Sequence, residues 1–166
     1  MTMQFSSSIT QLFLGKGVLN QFNPGQSQGN NWQPPFGVCI TLYSGTQPAA
    51  ADVVNNWVTY NSSNSNFLAH FQGGGWYWLA IGVLQLVTPP AVLASGTGTA
   101  TWAILWPQGN PGSMTLDTLG TNAPPNPAFM VVPVTDTNGN GIIRMLSTSI
   151  ISGSSVSIVD GSISAS

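Results

Sequence analysis

The sequence predicts an all-β protein: one β-sandwich domain, jelly-roll-like, led by a short N-terminal helix. Three observations carry the prediction. Apolar residues recur with period two in several short runs, the spacing that places alternate side chains on opposite faces of a strand. Those runs are rich in aromatic and branched residues, and clusters of Gly, Pro, Asn and Ser separate them at the intervals of a sandwich or jelly roll. A length of 166 residues suits one domain with a sizeable core.

The elements follow in chain order. Phe5, Ile9, Leu12, Phe13 and Lys16 fall at helical spacing and form one mainly apolar stripe. Ser6, Ser7 or Ser8 can cap the start, and Gly15 and Gly17 end it, so a short helix is expected over residues 7–14. It would dock on the body or on a neighbouring subunit, which makes Phe5, Ile9 and Phe13 candidate assembly contacts. Residues 23–35 are rich in Asn, Gln, Gly and Pro and read as an exposed loop. Trp32 within it has two readings, an anchor for a partner or a cap on the end of the core. Trp57 is a further candidate contact. Residues 1–36 thus form an arm of helix and loop, and residues 37–166 form the β-sandwich body.

In the body, Val38, Ile40 and Leu42 face one way while Cys39, Thr41 and Tyr43 face the other. Trp102, Ile104 and Trp106 oppose Thr101, Ala103 and Leu105, and Phe129 and Val131 oppose Met130, Val132 and Val134. Residues 67–71, 76–81, 84–87 and 142–146 are also strand-like, and Val156 and Ile158 are flanked by serines. Turns are expected at Ser44-Gly45, Gly73-Gly74-Gly75, Pro89-Pro90, Ser95-Gly96, Gly109 to Gly112, Pro124-Pro125, Asn138 to Gly141 and Ser152-Gly153. About eight strands result. Apolar residues on both faces of some strands imply two covered faces, one meeting the opposite sheet and the other the helix or another subunit.

Charge is nearly absent. Lys16 and Arg144 are the basic residues, Asp52, Asp117, Asp136 and Asp160 the acidic ones, and the formal net charge is -2. Charged residues make up 4% of the chain, against about 25% in an average domain. So neutral a surface resists self-association weakly, and the reading is that partner subunits cover much of it. Two cations form no basic patch for nucleic acid and no polybasic segment for anionic lipid. The longest apolar run, residues 76–93, is interrupted by Gln85, Thr88, Pro89 and Pro90 and reads as two strands around a Pro-Pro turn, not as a membrane span. No basic region precedes the first apolar residues, so no secretory signal is expected. Cys39 has no second cysteine to pair with and reads as a small buried hydrophobe.

Candidate chemistry is sparse. His70 is the single imidazole, between Ala69 and Phe71 in a strand-like run, where a structural role is the expectation and not service as a base for a nucleophile. The four aspartates lie in or beside turn signals, where Asp is common for backbone reasons, and not as a glycosidase pair. Residues 136–141, Asp-Thr-Asn-Gly-Asn-Gly, fit the first half of a calcium loop, but position twelve is Ser147 and the flanks are strands. A hairpin is expected instead, its Asn-Gly pairs supplying positive φ angles. Asn61-Ser62-Ser63 matches a glycosylation acceptor and reads as a polar loop. No cofactor, metal site or catalytic residue is assigned.

Three segments resemble a family of small β-rich virion structural proteins of tailed bacteriophages. Ile40 to Asp52, ITLYSGTQPAAAD, is similar to the family's strand and YSGTQP-A-AD turn. Gly98 to Leu105, GTATWAIL, is similar to its GTAGWFR strand, without the arginine that follows the tryptophan there. Leu146 to Ile158, LSTSIISGSSVSI, is similar to its C-terminal strand pair. The order of the segments and the leading helix also agree, whereas residues 53–90 have no counterpart. The resemblance implies a non-enzymatic virion component assembled in the host cytoplasm. The leading expectation is a capsid cement or decoration subunit that contacts its own copies and the major capsid protein, and neither nucleic acid nor membrane. The alternatives are a tail, neck or fibre component and a glycan-binding host-attachment module, in which Trp32, Trp57, Tyr60, Trp76 and Trp78 would stack on sugars.

Overall fold

The structure, a computed structural model, describes residues 4–5, 38–56, 59–60, 63–80, 83–107 and 129–164. Among these residues the chain is all-β apart from one short helix. The strands are β1 (Gln4–Phe5), β2 (Val38–Ser44), β3 (Phe67–Ala80), β4 (Val83–Val87), β5 (Val92–Leu93), β6 (Gly98–Pro107), β7 (Met130–Asp136), β8 (Ile143–Met145), β9 (Ser149–Ile150), β10 (Ser155–Val156) and β11 (Ile158–Ser164). The helix α1 covers Ala50–Asn55.

The sheet curls until it meets itself. Its order is β1-β7-β8-β11-β4-β3-β2-β6-β9, and β6 also pairs with β7. The ladders β7-β8-β11-β4-β3-β2-β6 therefore form a closed ring of seven strands, a single curled sheet in place of two separate ones. Antiparallel neighbours alternate in direction, so an odd ring closes only with a parallel pair in it. The β7–β8 ladder is that pair: Val134 lies opposite Ile143, Thr135 opposite Arg144 and Asp136 opposite Met145. All other ladders of the ring are antiparallel. β5 and β10 form a separate two-stranded ladder.

The hairpin expected over residues 138–141 is thereby corrected. Residues 137–142 return the chain in the same direction beside itself, a tighter crossover than parallel strands usually need. The loop is held on Thr135 and Asp136. Gly141 N–H donates to Thr135 Oγ1 at 3.0 Å, and Asn138 N–H donates to Asp136 Oδ1 at 3.0 Å. A Cβ at Gly139 would lie 2.5 Å from Thr135 Cβ, and one at Gly141 would lie 2.8 Å from Thr135 Oγ1. Neither glycine has positive φ. They serve close approach, not the left-handed turn expected of them.

The Gly73-Gly74-Gly75 turn is also corrected. β3 runs through it: Gly74 pairs with Val38 of β2, and Gly75 pairs with Val87 of β4. A register shift falls between Val38 and Ile40, beside Gly73 at φ +85°, the mark of a bulge that bends a strand from one neighbour to the next. The Pro89-Pro90, Ser95-Gly96 and Ser152-Gly153 signals do fall between elements, and Ser44-Gly45 marks the end of β2. The signals within residues 109–125 lie outside the described residues, as does the helix expected over 7–14. Phe5, at the head of that stripe, is a strand residue opposite Met130 of β7.

Two apolar clusters flank the ring wall. Every ring strand contributes to the first, through Val38, Ile40 and Leu42 from β2, Phe71, Leu86, Leu105, Val132, Ile143 and Ile158 among others, so it fills the interior. The second lies on the outer face of β2, β3, β6 and β7 and holds Cys39, Tyr43, Phe67, Trp102, Ile104, Trp106, Phe129 and Val131, with Ala50 and Val53 of α1. The facings expected for β2, β6 and β7 agree with this division in each strand. The helix that covers the outer face is α1, which no sequence signal above had marked. Ala50 and Val53, three apart on one face, supply its buried side.

Candidate assembly surface

The outer cluster contains the side chains best equipped for chemistry, and packing occupies them. Tyr43 stacks on Trp102 with ring centroids 4.3 Å apart, and Tyr60 meets both rings edge-on. Tyr43 Oη–H donates to the Tyr60 carbonyl at 2.8 Å, and Trp102 Nε1–H to the Ser44 carbonyl at 3.0 Å. Burial raises the phenol pKa of Tyr43 and of Tyr60. Tyr60, read above as a possible sugar platform, is half-buried against the core.

His70 stacks on Trp106 at 5.3 Å, with Nδ1 2.9 Å from Thr41 Oγ1 and Nε2 3.2 Å from Gln72 Nε2. Burial lowers its pKa to about 4, so it is a weak base. Cys39 is fully buried, and burial pushes its thiol up to about 12. Among the described residues no three of His, Cys, Asp and Glu gather as metal ligands. Asp160, read above as a turn residue, lies within β11 and pairs with Arg144 of β8. It also accepts from Gln85 Nε2 of β4, so one carboxylate ties three ring strands together.

The three segments singled out by resemblance meet at one end of the ring. β2 and β6 bring Tyr43 opposite Trp102 and Ser44 opposite Ala100. β6 and β9 bring Gly98 opposite Ile150 and Thr99 opposite Ser149. Ala100 N–H donates to the Thr148 carbonyl at 2.8 Å, and Thr101 Oγ1 donates to the Gly45 carbonyl. A Cβ at Gly98 would press on Leu68 Cδ2 and Ser44 Cβ at 3.2 and 3.3 Å, so a side chain there would have to shift these neighbours by a few tenths of an ångström. Exposed Thr46, Thr99, Ser149 and Ser152 give this end a hydroxyl surface.

Beside it lies a groove of about 210 Å³ between the stretches 145–149 and 154–157. Leu146 lines it and is 79% exposed; Leu93 and Ile151, close by, are 70% and 66% exposed. Sequence reasoning missed these three, though a signal was present. Each is the second member of an apolar doublet, Val92-Leu93, Met145-Leu146 or Ile150-Ile151. Adjacent strand residues face opposite ways, so Met145 and Ile150 enter the core and their neighbours face out.

Of the expected contact residues, Ile9, Phe13, Trp32 and Trp57 lie outside the described residues, and Phe5 is placed by its backbone in β1. Trp76 and Trp78 lie in β3, opposite Leu86 and Leu84. No family model, curated protein or solved structure matches the chain.

Proposed function

We propose that this chain is a non-enzymatic structural subunit of a tailed-bacteriophage virion, a cement or decoration protein seated over the capsid lattice. The observation that carries the reading is the joining of three distant segments, those similar to the virion family, into one surface of hydroxyl and apolar side chains in which Asp52 is the one charged residue of the three. Residues 87–104 and 145–157, which build most of it, contain no Asp, Glu, Lys or Arg. The engaged, weakly basic His70 and the inert Cys39 favour a structural role over nucleophilic catalysis.

Mechanically, such a subunit stabilises a shell by burying neutral surface across the joints between capsomers. Each contact adds about 25 cal/mol per Å² of apolar area, less the cost of association, and many copies multiply a modest term. The test is the copy number of the chain in purified particles, counted against the major capsid protein. Stoichiometric or near-stoichiometric copies support the shell role; a handful would move the chain to the tail, neck or fibre. Its absence from particles would end the virion reading.

A further inference from the structure

We propose that Asn138 is a site of spontaneous modification: the backbone nitrogen of Gly139 displaces its side-chain amide, and a carboxylate takes that place in the loop that closes the ring. The chemistry depends on this loop alone and not on what the chain assembles with.

The chain holds two Asn-Gly pairs, Asn138-Gly139 and Asn140-Gly141, both in the crossover between β7 and β8. A glycine after Asn leaves the attacking nitrogen unshielded by a side chain. The Gly139 nitrogen gives its proton to solvent base and bonds to Asn138 Cγ. The bond from Cγ to Nδ2 breaks, and the amide nitrogen leaves as ammonia, closing a five-membered succinimide. Water then opens this ring on either side. Opening between Cγ and nitrogen gives aspartate; opening between the main-chain carbonyl carbon and nitrogen gives isoaspartate. The sum is amide plus water to carboxylate plus ammonium.

Both asparagines are exposed, so the attacking nitrogens separate the two sites. Gly139 N–H donates to the Asp136 carbonyl at 3.2 Å, the long end of the range for such a bond, across an exposed turn. The side-chain amide of Asn138 bonds to no other described residue, so breaking one turn bond lets the two groups meet. Gly141 N–H instead donates to half-buried Thr135 Oγ1 at 3.0 Å. The carbonyl of the next residue, Ile142, accepts from Ser162 N–H of β11 at 3.1 Å. Freeing the Gly141 nitrogen therefore disturbs the join of β8 to β11. An exposed turn opens at far lower cost than a packed join, so Asn138 reacts first and the Thr135 hydroxyl guards Asn140.

The product moves the formal net charge of -2 one unit further negative. Its carboxylate lies beside Asp136, whose Oδ1 accepts from Asn138 N–H. Isoaspartate also lengthens the main chain by one atom in a crossover packed on Thr135, so the modified chain should unfold at a lower denaturant midpoint.

The test holds the full folded chain in mildly alkaline buffer for days, followed by digestion and mass mapping with fragment ions that separate the two asparagines. A gain of one mass unit is expected at Asn138, with isoaspartate detected by enzymatic methylation, at least about tenfold faster than at Asn140. In urea, where neither nitrogen is held, the two should convert at similar rates. Asn138→Gln should remove most of the gain, and Asn140→Gln should leave it. Thr135→Val, which deletes the acceptor for Gly141, should speed conversion at Asn140 about tenfold, whereas Thr135→Ser should not; thermal melts establish that both variants are folded. Should Thr135→Val fail to fold, the ratio in the wild-type chain decides. Equal rates at the two sites in the folded chain, or no conversion at Asn138 over a time that converts it fully in urea, overturn the proposal.

Discussion

The imidazole of His70 lies between Thr41, Gln72 and the face of Trp106, and the environment favours its neutral form. Its folded pKa is lowered to about 4 from the ordinary 6.5. Between those values the unfolded chain binds more protons, so stability rises with pH. This contribution is complete above pH 6.5 and is lost as pH falls toward 4. The thermal midpoint of the protein should therefore decline on acidification through that window, and His70→Gln should decline less; equal declines would clear His70 as a cause. The Cys39 thiol should not react with a maleimide at pH 8 in native protein and should react fully in denaturant, because it is buried and pushed up to about 12. In the aromatic cluster, Tyr43→Phe removes the bond to the Tyr60 carbonyl and should cost about 1 kcal/mol in urea unfolding. Trp102→Ala empties a stacked, buried site and should cost about 3–5 kcal/mol.

Among the elements, the β7–β8 connection bears the closure of the ring. Gly139→Ala and Gly141→Ala each force a methyl group into Thr135. Each should destabilise by about 1–3 kcal/mol through strain in a packed loop, read as a lower denaturant midpoint. Gly153 provides the contrast. A Cβ there meets nothing within 4 Å, but its φ is +80°, so Gly153→Ala should cost only about 1 kcal/mol. A loss at Gly139 or Gly141 no larger than this would mean that the crossover yields easily. β3 solves the opposite problem. A bulge at Gly73 lets one long strand pair first with β2 and then with β4, carrying the sheet around its bend without a turn.

For the molecule as a body, the scarcity of ions sets how any self-association would answer to salt. Self-association driven by neutral surface should persist or tighten as sodium chloride rises from about 0.05 to about 0.5 M, because little Coulombic attraction exists to screen, and sulfate should strengthen it further. Sedimentation at the two salt concentrations checks this; dissociation at the higher one would point to the few charges instead. The same scarcity explains why the Arg144–Asp160 pair sits where three ring strands meet, with its charges satisfied inside the molecule.

Period-two alternation alone dictated the all-β class and the two faces of β2, β6 and β7, because side-chain direction along a strand is a local property. It also contained, unread, the doublets that leave Leu93, Leu146 and Ile151 outside. Tertiary structure alone decided the ring, its parallel pair, the passage of β3 through three glycines and the use of α1 as a cover. The Asn-Gly run shows why. Locally it is a hairpin signal, yet contact with Thr135 and the directional rule of an odd ring give it another form. Gathering three segments into one surface likewise depends on strand neighbours far apart in the chain, and such pairing is set by the free energy of the whole core, not by any single stretch of residues.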